Sequence, residues 1–199
     1  MPERGRRGPG KRLLLTLAAL ASLIVGYYLG QYWQRQPLAD LSAVVYPAGH
    51  LAAYPPELDL LQRPEAESPW RLFLAADTRV PECRQLLRHY AIVFNRLAAW
   101  PHIQENLRLT VLAYDRPDPS AITAFTGGVT WADVISTATD PLDRLGSELG
   151  ILPDPDAWCG PLSANAVLVA PDRRRWALIP HEQAAMMARN ISTIIQFVE

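Results

Sequence analysis

Five basic residues, Arg4, Arg6, Arg7, Lys11 and Arg12, and one Glu precede a run without charge from Leu13 to Gln34. A helix over Leu13 to Trp33 measures roughly 30 Å, the thickness of one hydrocarbon core. Basic flanks stay on the cytoplasmic side, so the expected entry is N-terminus inside. Tyr27, Tyr28, Tyr32 and Trp33 then fall at the outer interface, where amphipathic rings prefer to sit. Everything after Arg35 is expected outside the cytoplasm. Ala19-Leu20-Ala21 has the form of a signal cleavage site. Cutting there leaves an apolar core of only Leu13 to Ala18 and an apolar new N-terminus containing Leu23, Ile24 and Val25, so the uncleaved anchor is the reading taken. Arg6-Arg7 is read as ordinary positive-inside charge rather than a twin-arginine signal. Ala18, Ser22, Gly26 and Gly30 recur every four residues and would let a second helix approach closely, although small residues are common in membrane helices anyway.

Beyond residue 33 the chain carries 14 arginines and 19 carboxylates, a net charge of about −5, which argues against nucleic acid and against adhesion to anionic headgroups. Lys11 is the only lysine, so arginine here reflects composition more than chemistry. The length suits one domain plus a linker. Two cysteines, Cys83 and Cys159, are too few for a disulfide scaffold, though their compartment permits a bridge.

The expected organisation is a basic segment 1–12, a transmembrane helix 13–33, a Pro-rich connector 34–69 and a folded domain 70–199. The connector holds Pro47, Pro55, Pro56, Pro64 and Pro69, which block long helices and central strands. A short strand is allowed at Leu58 to Leu61. Trp70 to Ala76 reads as a buried strand. Asp77, Thr78 and Pro81 are helix-start residues, and Glu82 to Trp100 keeps helical spacing until Pro101. Leu107 to Tyr114 is the next strand, followed by helices at Ser120–Phe125 and Asp140–Leu149, the latter closed by Gly150. Ala164–Ala170 and Arg175–Ile179 form a hairpin, and Glu182–Phe197 a final helix. The order β-α-β-α-α-β-β-α is the thioredoxin-like plan: an α/β domain with a central sheet and helices on both faces.

Several segments resemble the Sco/SenC family, thioredoxin-like, membrane-anchored copper proteins that help assemble cytochrome c oxidase. They are Ala43 to Leu51, Phe73 to Pro81, Val111 to Pro119, Phe125 to Thr130 and Leu162 to Asp172. The resemblance lies in order and spacing more than in identity. It implies a single-pass protein of the inner membrane with its domain in the periplasm. The family binds copper with a Cys-x-x-x-Cys pair and a distant His, a donor set that suits the ion. In this chain the matching positions are Val80, Arg84 and Leu162. Cys83 falls one residue short of the second Cys position. The resemblance therefore implies a degenerate copper site, with no cofactor expected.

Cys83 lies in the first turn of its helix, where thiolates are stabilised. In a fold of this type the loop carrying Cys159 faces that turn, so the two sulfurs can meet. A structural disulfide, unpaired thiols, a redox-active pair and a metal site all remain open. Trp158-Cys159-Gly160-Pro161 spells the start of the thioredoxin motif, but Leu162 replaces the second Cys and the segment precedes a strand. Pro161 is a candidate cis-proline. His50, His89, His102 and His181 form no ligand spacing; His89 is expected on the exposed side of its helix and His181 in the helix-start region of the last one. Asp115 and Asp118 are read as loop carboxylates that cap the following helix. Asn190-Ile-Ser192 matches a glycosylation triplet but falls inside a helix.

Three functions follow as expectations. The first is a non-catalytic Sco-like factor whose partners are cytochrome oxidase subunits or assembly factors. The second is a thiol-disulfide or copper-handling protein working through Cys83 and Cys159. The third is a peroxidase-like enzyme using Cys83 alone.

Overall fold

The computed structural model describes residues 9–199 apart from 152, 161 and 162. Arg4, Arg6, Arg7, Pro161 and Leu162 thus lie outside the described residues. The chain divides into two units, Met1–Asp40 and Leu41–Glu199.

The described residues of the first unit form one helix, α1 (Pro9–Ala39). The side chains of residues 14 to 30 are all exposed, Leu14, Leu23 and Tyr28 among the most open. Ser22 donates its hydroxyl back to the carbonyl of Ala18, the usual resting place of a helical serine without another partner. Among the described residues no helix is long and apolar enough to cross a membrane. The expected span 13–33 extends beyond the described side chains at both ends.

The second unit is built on a six-stranded sheet of order β1-β6-β5-β2-β3-β4. In chain order the elements are β1 (Val44–Leu51), β2 (Trp70–Ala76), α2 (Pro81–Arg96), α3 (Pro101–Asn106), β3 (Leu107–Ala113), α4 (Pro119–Thr126), β4 (Ala132–Ile135), α5 (Thr139–Leu149), β5 (Ala166–Val169), β6 (Arg174–Ile179) and α6 (Ala184–Val198). Strands β2, β3 and β4 are parallel, while β5, β6 and β1 run antiparallel to their neighbours. The four central strands make the thioredoxin-like arrangement, and β1 and β4 extend it at either edge.

Trp70 to Ala76 is apolar throughout, except at Arg71, because β2 lies between two neighbours with both faces covered. Phe73 and Ala75 point to one face, where they meet Leu142, Leu145 and Leu149 of α5 together with Ala52, Leu58 and Leu61. Leu72 and Leu74, of opposite parity, face the layer of α2 and α6, which pack against each other. Gly146 lets the chain leaving α5 fold back over the helix: a Cβ there would lie 2.6 Å from the carbonyl oxygen of Ile151. Gly150 closes α5 in the left-handed conformation at φ 73°. Asp118 caps α4 by accepting from Ala121 N–H at 2.8 Å, the capping role expected for it.

The structure revises several boundaries. The connector is not merely a linker, because Val44–Leu51 forms an edge strand and Ala52, Leu58 and Leu61 enter the core. Its ladder is interrupted between Val45 and His50, the interval holding Pro47, which has no N–H to donate. The allowed strand at Leu58 to Leu61 is a short 3-10 turn, Asp59–Leu61. The helix expected to reach Trp100 ends at Arg96 and tightens into a 3-10 turn over Leu97–Ala99. Pro101 then starts α3 rather than only stopping its predecessor, since proline suits a first helical turn. α3 and β4 were not anticipated. α6 begins at Ala184, beyond His181.

Candidate functional site

Strands β2 and β3 end side by side, and the chain leaving each carries an aspartate. Tyr114 N–H donates to Ala76 O at 3.0 Å, which aligns the two exits. The Asp115 carboxylate, with a side chain 2% exposed, accepts from Thr78 N–H at 3.0 Å and from Thr78 Oγ1 at 2.6 Å. Asp77 accepts from Arg79 N–H and Nε at 3.0 Å each and from Arg79 Nη2 at 2.6 Å. The guanidinium's hydrogen bonds hold Asp77 below its ordinary pKa against the opposing effect of burial, and raise that of Arg79 in return. Arg79 also lies 3.7 Å from Asp115. The two carboxylates are therefore spent on fixing the 77–79 turn.

That turn delivers the chain into α2. Val80 is the N-cap residue without a side-chain bond, Pro81 opens the helix, and Cys83 occupies its first turn. The loop between α5 and β5 returns over the same place. Cys159, in the left-handed region at φ 55°, brings its sulfur 2.03 Å from that of Cys83. The two form a disulfide across 76 positions, with 2% and 8% of the residues exposed. Trp158 tilts against Tyr114 at 5.6 Å between ring centres, so the loop is also held by aromatic packing on the strand exit. Neither cysteine is a free thiol, so a peroxidase-like use of Cys83 alone has no nucleophile in this form.

A second cluster lies at the start of α6. His89 and His181 meet at 4.8 Å between ring centres, and His89 Nε2 is 2.8 Å from Glu182 O. His89 is thus half-buried rather than on an open face, because the lead-in to α6 crosses it. Asn190, fully buried, donates to Glu182 and to Ser42, and Ser42 donates in turn to Glu182, which ties the beginning of the unit to α6. No spacing pattern links residues 89 and 181, so only the fold reveals the pair. Burial and then the neighbouring His89 lower the pKa of His181 from its ordinary 6.5. The unfolded chain therefore takes up this proton first as pH falls. Stability contributed at this position is flat above about pH 6.5 and declines below it, until the folded protein is protonated too. His181→Gln is expected to flatten the acid side of a pH series of thermal melts. An unchanged slope would show that the cluster does not titrate this way.

No family model and no curated protein matches the sequence. Solved structures do. Sco1 of Thermus thermophilus in its apo form is similar with a TM-score of 0.55 at 15% identity, over 78% of this chain and 96% of that one. This chain has the Sco fold. Arabidopsis thaliana ScoI with copper bound is similar at a TM-score of 0.52 and 9% identity, over 65% and 86% of the two chains. Yeast Sco1 with copper bound gives 0.51 and 12%, over 65% and 78%.

The residues of this Sco-fold chain do not fit a copper ion at the expected place. Val80 offers only hydrocarbon and Arg84 an exposed guanidinium, neither of which donates an electron pair to a metal. Leu162 lies outside the described residues, and its side chain is hydrocarbon. The sulfurs of Cys83 and Cys159 are spent on each other. Among the described residues no group of three His, Cys, Asp or Glu side chains converges as a metal site. The arrangement can brace the α2 N-terminus against the Cys159 loop.

Proposed function

We propose that the chain is a membrane-tethered, Sco-like factor in the assembly of a cytochrome c oxidase, acting by protein contact rather than by catalysis or metal delivery. One observation carries this reading. The disulfide joins the α2 first turn to the Cys159 loop, the two segments from which the family resemblance would draw copper ligands. A covalent bridge holds the architecture where a metal would otherwise span it. The tether is part of the proposal and rests on the uncharged run Leu13 to Gln34 behind a basic segment. The domain would then sit in the periplasm, where a disulfide persists. On α1 the face of Ala18, Ser22, Gly26 and Gly30 is where a partner helix would pack.

The test is genetic and spectroscopic. Deleting the gene is expected to lower assembled oxidase, read from haem absorbance and copper content of isolated membranes. Expression of a Cys83→Ala/Cys159→Ala chain, at wild-type protein level, is expected to restore it. Normal oxidase in the deletion strain would refute the assignment, and failure of the double variant alone would shift the function to the sulfurs.

That outcome would favour a second reading, a thiol-disulfide or copper-handling protein. The position of Cys83 in a helix first turn supports it, since the helix dipole stabilises the leaving thiolate. Its burial and the absence of a second vicinal thiol weigh against fast exchange with another protein.

A further inference from the structure

Helix α2 shows solvent a row of side chains spaced one turn apart: Arg84, Arg88, Ile92 and Arg96, all exposed. Ile92, 50% exposed, stands between Arg88 and Arg96 in the row. The ion pairs among the described residues engage Arg71, Arg79, Arg144, Arg174 and His50, and none of the three arginines of the row. The helix has one carboxylate in its own first turn, Glu82. Like charges four residues apart destabilise a helix. A cation in the first turn also opposes the helix dipole, which disfavours Arg84, whereas Arg96 in the last turn is favoured by it. Arg84 and Arg88 therefore work against the element that carries them, in a unit whose overall charge is negative. Helix α6, packed beside α2, adds exposed Arg189 and the 44% exposed Phe197.

We propose that this face of α2 is a docking surface for an acidic amphipathic helix of a partner protein, whose carboxylates engage Arg84 and Arg88 next to an apolar contact with Ile92. Arginine pairs with carboxylates through two parallel hydrogen bonds and is enriched among the residues that carry most of the binding energy of an interface. Charge complementarity selects the occupant. A lipid surface or a nucleic acid extends its negative charge well past the row and meets the acidic remainder of the unit. A short helix confines its charge to the row, and beyond about 8 Å the remainder is screened. The apolar face of α2, Leu86, Leu87, Tyr90, Val93 and Phe94, is buried in the core. That leaves Ile92 as the exposed large apolar side chain of α2, too little for an interfacial helix.

The inference rests on the contact-based reading above and gives it a surface, and its test uses a separate readout. A labelled synthetic helical peptide with Glu at every fourth position and Leu between them is titrated by anisotropy against the full chain in zwitterionic detergent. Wild type is expected to bind, with affinity falling as salt rises. Arg84→Glu/Arg88→Glu is expected to weaken binding at least ~30-fold and Ile92→Ala roughly tenfold, both on the scale of interface centre residues. Arg84→Lys/Arg88→Lys is expected to fall between wild type and the charge reversal, because lysine keeps the charge but not the paired hydrogen bonds, and the melting temperature of each variant reports that it is folded. Absence of binding by wild type, or equal binding by the charge-reversed variant, overturns the proposal. Tighter capture of phosphatidylglycerol vesicles through the same arginines also overturns it, by making the occupant a lipid. Failure here leaves the oxidase phenotype of a deletion strain untouched, and the reverse holds as well.

Discussion

Cys83→Ala/Cys159→Ala is expected to lose about 4 kcal/mol of stability. The bridge closes a loop of 76 positions, and in the chain-entropy account the cost of closing such a loop is lifted from folding when the link is already present. For a unit of this size the melting temperature falls by roughly 10 °C. Each single alanine variant should lose nearly as much as the double, because either one removes the whole constraint. Thermal melts with and without a dithiol reductant check it: the reductant lowers the wild-type transition toward that of the variants and leaves theirs in place. A double variant that melts with the wild type would mean that the link contributes nothing.

Asp133→Ala is expected to follow at roughly 2 kcal/mol. Arg71 enters the central strand with a side chain only 6% exposed, and its Nη1 donates to Thr110 Oγ1 and to Asp133 Oδ2 at 2.8 Å each. Removing one partner of a buried pair strands the other charge away from water, which commonly costs ~3–5 kcal/mol. Asp133 is itself 27% exposed, so water compensates part of the loss. Urea denaturation should show a lower midpoint at unchanged slope. Replacing the pair together, Arg71→Met with Asp133→Leu, is expected to recover most of the loss. If the single variant matched wild type, Arg71 would have to find solvent or another acceptor.

The same pair explains what was hidden in the sequence. β4 is four residues long with a carboxylate in second place, a composition that strand propensity disfavours. Asp133 is tolerated because a guanidinium from two strands away reaches it, a contact no local window contains. Arg71 within an otherwise apolar strand was the visible half of that signal. By contrast β2, β3, α2 and α5 declare themselves, since continuous burial or one-sided helical burial leaves a regular apolar pattern. β1 was obscured by Pro47, and its outer position in the sheet is what admits a proline there. At the site, the bond between Cys83 and Cys159 was one of four readings the sequence left open, while the first-turn place of Cys83 was readable. The carboxylate-braced turn of Asp77, Thr78, Arg79 and Asp115 was not, because its bonds join the ends of two different strands.

The bond between residues 83 and 159 also partitions the polypeptide into a ring with two tails. The ring runs from the first turn of α2 through α3, β3, α4, β4 and α5; α1, β1, β2, β5, β6 and α6 hang outside it. A protease that cuts an exposed link inside the ring, such as the stretch around Asp154 to Asp156, opens it without releasing a fragment. The severed ends stay covalently joined until the sulfurs are reduced, and a nick there leaves a single molecule. Resistance to falling apart after a cut is a form of durability separate from equilibrium stability.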